Sequence, residues 1–262
     1  FTLRCANVTQ HLPIPRSIMK KSIIALILGF TLMGCQSAPP QETDDLKLAS
    51  TALLNGHADN ALLIYKQRLE STPDDAELLF LAGSACNQSG RYDEALHYLK
   101  KGQEISPSHQ FEREIGRSNL ALGHLEQARA ALVKAVSAAP SDDVALNSLG
   151  VTHSLLQQYQ DAREVFTQAI GLVPDSVEYR NNLALTWMLD GMPHQSIRIL
   201  YPIYQRGEAT SKVRLNLALS YAMSGDVEAA KHVAAQDLSQ AELERNEQYY
   251  SNLANQFGGE TQ

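Results

Sequence analysis

Aromatic residues make up only 6% of this 262-residue chain, and there is a single tryptophan. Strands draw their packing from aromatic and β-branched side chains, so a sandwich or barrel is excluded as the main architecture. Cysteine is scarce as well: Cys5, Cys35 and Cys86 are too few for a disulfide framework. Basic residues are the minority charge, 22 Lys and Arg against 29 Asp and Glu, for a formal net charge of -7. Neutralising phosphates needs clustered Lys and Arg, so a general nucleic-acid surface is excluded. The apolar run from Ile23 to Met33 falls short of the roughly 20 residues that span a bilayer. There is no His-Glu-x-x-His, no paired-cysteine zinc spacing and no glycine loop that cradles phosphate. The eight histidines are scattered. Nothing here points to catalysis, to a metal or to any other cofactor.

What the chain does have is ordinary globular composition, 44% hydrophobic and 19% charged, dominated by alanine and leucine. That mix favours helices. It also has a period. Prolines fall at Pro73, Pro107, Pro140 and Pro174, at spacings of 34, 33 and 34 residues. Glycines fall at Gly56, Gly90, Gly123, Gly191 and Gly225, with Gln157 in the same phase. Small residues recur at Ala61, Ala95, Ala128, Ala162, Ser196 and Ala230, and again at Ala49, Gly83, Gly116, Gly150, Ala184 and Ala218. Just before that last column stand Leu48, Ala82, Ile115, Leu149, Leu183 and Leu217.

Each unit reads as a helix pair. The column led by Leu48 is expected to bury the first helix. The two small columns let paired helices approach, the glycine takes the turn, and the proline stops the second helix. Stacking covers the apolar face each pair leaves open. Six units are expected, starting near Glu42, Ala76, His109, Asp143, Val177 and Ser211, with the sixth running through Val233. Pro193 and Pro202 predict an irregular second helix in the fifth. Ser239-Gln-Ala-Glu242 reads as a capping box opening a last helix, with Leu243, Tyr250, Leu253 and Phe257 on one face. Asp93 and Glu94 lie in the first turn of a second helix, where they complement its dipole.

The second unit carries Leu79, Ala82, Gly83, Gly90, Tyr92, Ala95, Leu99 and Pro107, with the turn Ser89-Gly-Arg-Tyr-Asp-Glu-Ala-Leu96. This pattern resembles the tetratricopeptide repeat (TPR). The resemblance implies an all-α, right-handed superhelical solenoid of about six helix pairs plus a C-terminal capping helix. His153 and Trp187 share a column with Ala52, Cys86, Asn119 and Tyr221, buried between helices in that family, so a packing role is expected for them. Cys86 is expected to be a buried small hydrophobe.

The N-terminal region has a different logic. Met19, Lys20 and Lys21 precede the apolar run, and Leu32-Met33-Gly34-Cys35 closes it, as in a secretory signal. These four residues resemble the lipobox of bacterial lipoproteins, which implies acylation of Cys35 and cleavage before it. Met33 departs from the usual Ala or Ser. Gln36 in place of Asp implies the outer membrane. The expected division is an upstream extension at 1–18, a lipoprotein signal at 19–34, a lipid-anchored tether at 35–45, the repeat domain at 46–257 and a disordered tail at 258–262. The alternative is an ordinary cleaved signal.

The end of the chain narrows the family. Val213-Arg-Leu-Asn-Leu-Ala-Leu219, Ser224-Gly225-Asp226, Ala234-Ala-Gln-Asp-Leu238 and Asn246-Glu-Gln-Tyr-Tyr250 resemble the ending of the TadD lipoproteins of tight-adherence (Flp, type IVb) pilus assembly. That resemblance implies a non-enzymatic scaffold or pilotin-like factor at the outer membrane, facing the periplasm. Its partners would be the pilus secretin or other Tad components. The alternative is an adaptor lipoprotein recruiting peptidoglycan hydrolases or synthases.

Binding in a TPR solenoid is expected on the face lined by first helices. The candidate groove residues are Phe80, Ser84, Asn87, Arg113, Arg117, Asn147, Asn181, Asn182 and Asn216. Arg113 and Arg117 lie four apart and can fork onto a carboxylate. The asparagines recur in phase, and an amide that both donates and accepts suits an extended peptide backbone. The alternative is a solvated groove with hydrogen bonds between repeats. The family's carboxylate clamp uses Lys and Asn where this chain has Phe80, Ser84, Arg113 and Arg117.

Overall fold

The computed structural model describes residues 42–257. Cys35, the signal and most of the tether lie outside the described residues. Thirteen helices, and no strand, occur among those described. The first helices of the pairs are α1 (Glu42–Leu54), α3 (Ala76–Gln88), α5 (His109–Ala121), α7 (Asp143–Leu155), α9 (Val177–Leu189) and α11 (Ser211–Met223). Each starts at the residue the period predicts. Their partners are α2 (Ala58–Ser71), α4 (Tyr92–Ile105), α6 (Leu125–Ala138), α8 (Tyr159–Leu172), α10 (Pro193–Gln205) and α12 (Val227–Ala234). The last helix, α13 (Gln240–Phe257), packs on α11 and α12.

The first helices share one start device. Asp75, Ser108, Asp142, Ser176 and Thr210 each accept a backbone N–H with the side-chain oxygen, capping α3, α5, α7, α9 and α11. The turn inside each pair works by backbone shape instead. Gly56, Gly90, Gly123, Gly191 and Gly225 hold φ between 75° and 93°, and Gln157 holds 60° in the same place. After each, an N–H reaches back five residues, as from Arg91 to the Cys86 carbonyl at 2.8 Å and from Gln158 to His153 at 2.9 Å.

The two small columns are where helices of a pair meet. A Cβ at Gly83 would stand 2.5 Å from Leu99 Cγ, at Gly116 2.5 Å from Leu132 Cγ, and at Gly150 2.7 Å from the Phe166 ring. Across the pair, Ala61, Ala95, Ala128, Ala162, Ser196 and Ala230 are fully buried. First helices from α3 to α11 also touch one another in succession, whereas the second helices make no comparable contacts. The inner layer of the stack is therefore a continuous row of first helices.

Four expectations need correction or refinement. Leu48 is 62% exposed instead of buried, because α1 packs chiefly on α2 and no preceding pair among the described residues covers the face that carries it, as α6 covers Leu149. α10 runs without a break: Pro193 sits in its first turn, where its missing N–H costs nothing, and Pro202 is tolerated inside the helix. α1 begins at Glu42, ahead of the expected domain start at 46. The capping box is half made. Ser239 N donates to Glu242 Oε2 at 2.8 Å, but the serine hydroxyl also donates to that carboxylate at 2.6 Å. Tyr250 is the deeply buried residue of α13, with Leu243, Leu253 and Phe257 partly covered.

Left-handed backbone costs an L-residue about 1–2 kcal/mol, offset in part by the greater freedom glycine loses on folding. Gln157→Gly should therefore raise stability by about 1 kcal/mol, read from the urea midpoint. Gly150→Ala should lower it by about 1–3 kcal/mol despite alanine's better helix propensity, because the new Cβ would stand 2.7 Å from the Phe166 ring and force it to shift.

Candidate protein-binding groove

The row of first helices carries a polar seam at its α3–α5 end. Glu114 is 3% exposed, yet its carboxylate is fully engaged. Asn87 Nδ2 donates to Oε2 at 3.0 Å, Arg113 Nε to Oε1 at 3.1 Å, and Arg117 Nη1 to both oxygens at 3.0 Å. Arg113 Nη1 reaches on to Asp142 Oδ2 at 2.9 Å, and Asp142 also caps α7. The single hydroxyl proton of Ser118 is shared between Asn87 Oδ1 at 2.6 Å and the Glu114 carbonyl at 2.9 Å. Burial works against the charge on Arg113, but the carboxylates of Glu114 and Asp142 outweigh it and hold the guanidinium above its ordinary range. Two carboxylates, joined through Arg113, thus tie three successive repeats.

Farther along, the asparagines bond to one another. Asn182 Nδ2 donates to Asn147 Oδ1 at 2.9 Å, and Asn216 Nδ2 to Asn181 Oδ1 at 2.9 Å. Asn147 Nδ2 donates to Glu178 Oε1 at 3.2 Å. Asn181 is 1% exposed and beyond a ligand's reach. Behind this ladder runs a column of hydroxyls at the 34-residue period: Ser84, Ser118, Thr152, Thr186 and Ser220. The last four donate to the carbonyl four residues back, while Ser84 Oγ is buried without a partner. Ser154 and Thr186 join α7 to α9 at 2.8 Å. Phe80 is half-buried and meets Phe111 edge-on at 5.3 Å.

The candidate residues therefore divide. Asn87, Arg113 and Asn181 are engaged inside the protein. Arg117, Asn147 and Asn182 line a cavity of about 610 Å³ between α5, α7, α9 and α11. Phe80, Ser84 and Asn216 do not line it. Sequence reasoning placed Val151 and Leu185 on the inward face, and both line the cavity, but it missed the exposed apolar part: Val144, Leu155 and Leu189 are 37%, 54% and 48% exposed, and all three face the cavity. Leu155 and Leu189 lie one period apart, each closing a first helix, and that recurrence is the signal that could have found them. Lys212 on α11 borders the cavity as well. Tyr179 forms part of the wall, its hydroxyl donating to Asp143 Oδ2 at 2.6 Å. Burial and that carboxylate both hold its phenol protonated.

Nucleophilic chemistry finds no support in the groups the sequence singled out. Burial, with Glu94 adding to it, pushes the Cys86 thiol up to about 11, so it is no thiolate at neutral pH. His153 Nδ1 pairs with Gln158 Oε1 at 2.6 Å, and the Arg163 guanidinium lies 4.1 Å over the Trp187 ring. Among the described residues, no cluster of His, Cys, Asp and Glu has the arrangement of a metal site.

Known proteins share this architecture. Residues 113–177 match a tetratricopeptide-repeat family model, and residues 54–135 match the model of anaphase-promoting complex, cyclosome, subunit 3. The fold is a TPR-like solenoid. PilW, titled a widely conserved type IV pilus biogenesis factor, superposes with a TM-score of 0.68 at 18% identity, over 83% of this chain and 99% of PilW. A thermophilic TPR protein of Thermus thermophilus gives 0.58 at 22% identity, covering 68% of this chain and 98% of its own. The Cut9–Hcn1 assembly of APC/C gives 0.65 at 18% identity, over 81% of this chain and 42% of that one. At such identities the likeness is one of fold. Among curated proteins, the CTR9 homolog of Arabidopsis thaliana is 27% identical over 186 residues, 68% of this chain. The chain spans 17% of that relative's length.

Removing Glu114 leaves Arg113 with Asp142 alone, strips Arg117 of its partner and takes one of its acceptors from the buried Asn87 amide. Glu114→Ala should cost about 3 kcal/mol or more in urea unfolding, as expected for an uncompensated buried charge. Arg117→Ala, at a side chain 41% exposed, should cost about 1 kcal/mol or less.

Proposed function

We propose that the chain is a non-enzymatic TPR scaffold that holds a segment of a partner protein in the groove between α5 and α11. The observation that carries this reading is the cavity itself. It is open, walled by exposed Val144, Leu155 and Leu189, and built from helices that bond rigidly to one another. A preformed apolar groove with a few polar groups is a binding surface, and a stiff one spares the partner the cost of ordering it.

The finer reading is a lipid-anchored factor of Flp (Tad) pilus assembly at the outer membrane. Leu32-Met33-Gly34-Cys35 supports the anchor, and the TadD-like ending supports the pathway. The pilus factor PilW having this fold over nearly its whole length agrees with that setting. Acyl chains on Cys35 would fix the solenoid at the membrane, and the groove would raise the local concentration of a secretin or other assembly component.

Two linked measurements test this. Deleting the gene should abolish surface pili and secretin multimers; normal pili would reject the pathway. Cys35→Ser should move the protein from the membrane to the soluble fraction, and retention there would reject the anchor. Recovery of peptidoglycan hydrolases or synthases through the groove, with no pilus component, would favour the adaptor role instead.

A further inference from the structure

We propose that the α5–α11 cavity selects an extended segment bearing two large apolar side chains three residues apart, flanked by carboxylates. This rests on the groove being the partner site and adds the chemistry of what it takes.

The apolar half of the argument is spacing. Leu155 and Leu189 end neighbouring first helices and are 54% and 48% exposed. Packed helices lie about 8–10 Å apart. A segment in the extended polyproline II form advances about 3.1 Å per residue with about three residues per turn, so side chains three residues apart share one face and span about one repeat. A second copy of the same contact therefore falls on the next repeat without bending the ligand.

The polar half is unused hydrogen-bonding capacity. Arg117 engages Glu114 through Nη1, and its Nε and Nη2 have no partner among the described residues. Lys212 is exposed and has no hydrogen bond or ion pair among the described residues. These cations border the cavity from α5 and α11, at its two ends along the stack. The single acid lining it, Glu178, already has one oxygen accepting from Asn147. Two cations with free donors against one partly satisfied carboxylate favour an acidic flank over a basic one.

The test uses the full chain carrying Cys35→Ser and fluorescence anisotropy with three labelled twelve-residue peptides. One has Leu-Ser-Ser-Leu at its centre with aspartates on both sides; its twins replace the aspartates by lysines or the leucines by serines. The aspartate-flanked peptide should bind about tenfold tighter than either twin. Leu155→Ser with Leu189→Ser, both at exposed positions, should weaken it about tenfold without changing the circular dichroism. Lys212→Glu should shift preference toward the lysine-flanked twin. A parent protein that prefers the lysine twin, or ignores the flanks, overturns the acidic chemistry and leaves the groove standing. Binding indifferent to the leucine pair, or absent for all three peptides, overturns the proposal; only indifference to the leucine pair also counts against the groove, since the pilus assay reads the wider role separately.

Discussion

The stack depends on how closely the two helices of each pair approach. Gly83, Gly116 and Gly150 leave the space that Leu99, Leu132 and Phe166 occupy, so the larger side chain of the second helix rests on the backbone of the first. Small residues on the second helices, five alanines and Ser196 from Ala61 to Ala230, complete the contact at full burial. Close approach gains dispersion contacts that a wider spacing forfeits. It also sets the crossing angle, and the angle decides where the next first helix lies. Touching first helices and separated second helices follow from that one dimension.

Apolar stacking alone does not fix register, because a greasy face slides. The polar seam adds direction. Asn87, Glu114, Arg113 and Asp142 link the second to the fourth repeat, and the pairs Asn147–Asn182 and Asn181–Asn216 carry the links on to the sixth. A buried carboxylate is a poor source of net stability, since desolvation consumes most of the attraction. Its use here is to make every slipped arrangement leave a charge without a partner. The cost falls on function: amides engaged with each other are withdrawn from any peptide.

Helix positions were legible because several independent columns repeat in one phase, and each answers to its own physical need. Gln157 was legible too, since the turn demands left-handed backbone whatever residue fills it. The asparagines show where periodicity stops. It gave their phase, but Asn182 reaches Asn147 and Asn216 reaches Asn181 across 35 residues, not 34. A diagonal of one residue converts a ladder for ligands into a ladder between repeats, and only the offset between neighbouring helices reveals it. Glu114 was hidden for another reason. A charged residue between two arginines reads as surface, because full burial of Glu is rare unless paired. Leu48 erred in the opposite direction, since a column predicts burial only where a neighbouring pair supplies the cover.

The inner face is consequently not uniform along the stack. In α3 and α5, where a TPR clamp for carboxylates would sit, Phe80 packs on Phe111 and Arg113 is tied to Glu114 and Asp142. Those positions hold the repeats together and have little left to offer. In α7 and α9 the bonds between helices run through Ser154–Thr186 and Asn147–Asn182, which are compact and leave the helix ends free. There the chain leaves Leu155 and Leu189 in water, a placement that contributes nothing to folding. A solenoid must be both bonded to itself and open to others, and the same surface cannot do both. This chain separates the tasks along its length, with charge used for cohesion at one end and apolar surface left for recognition in the middle.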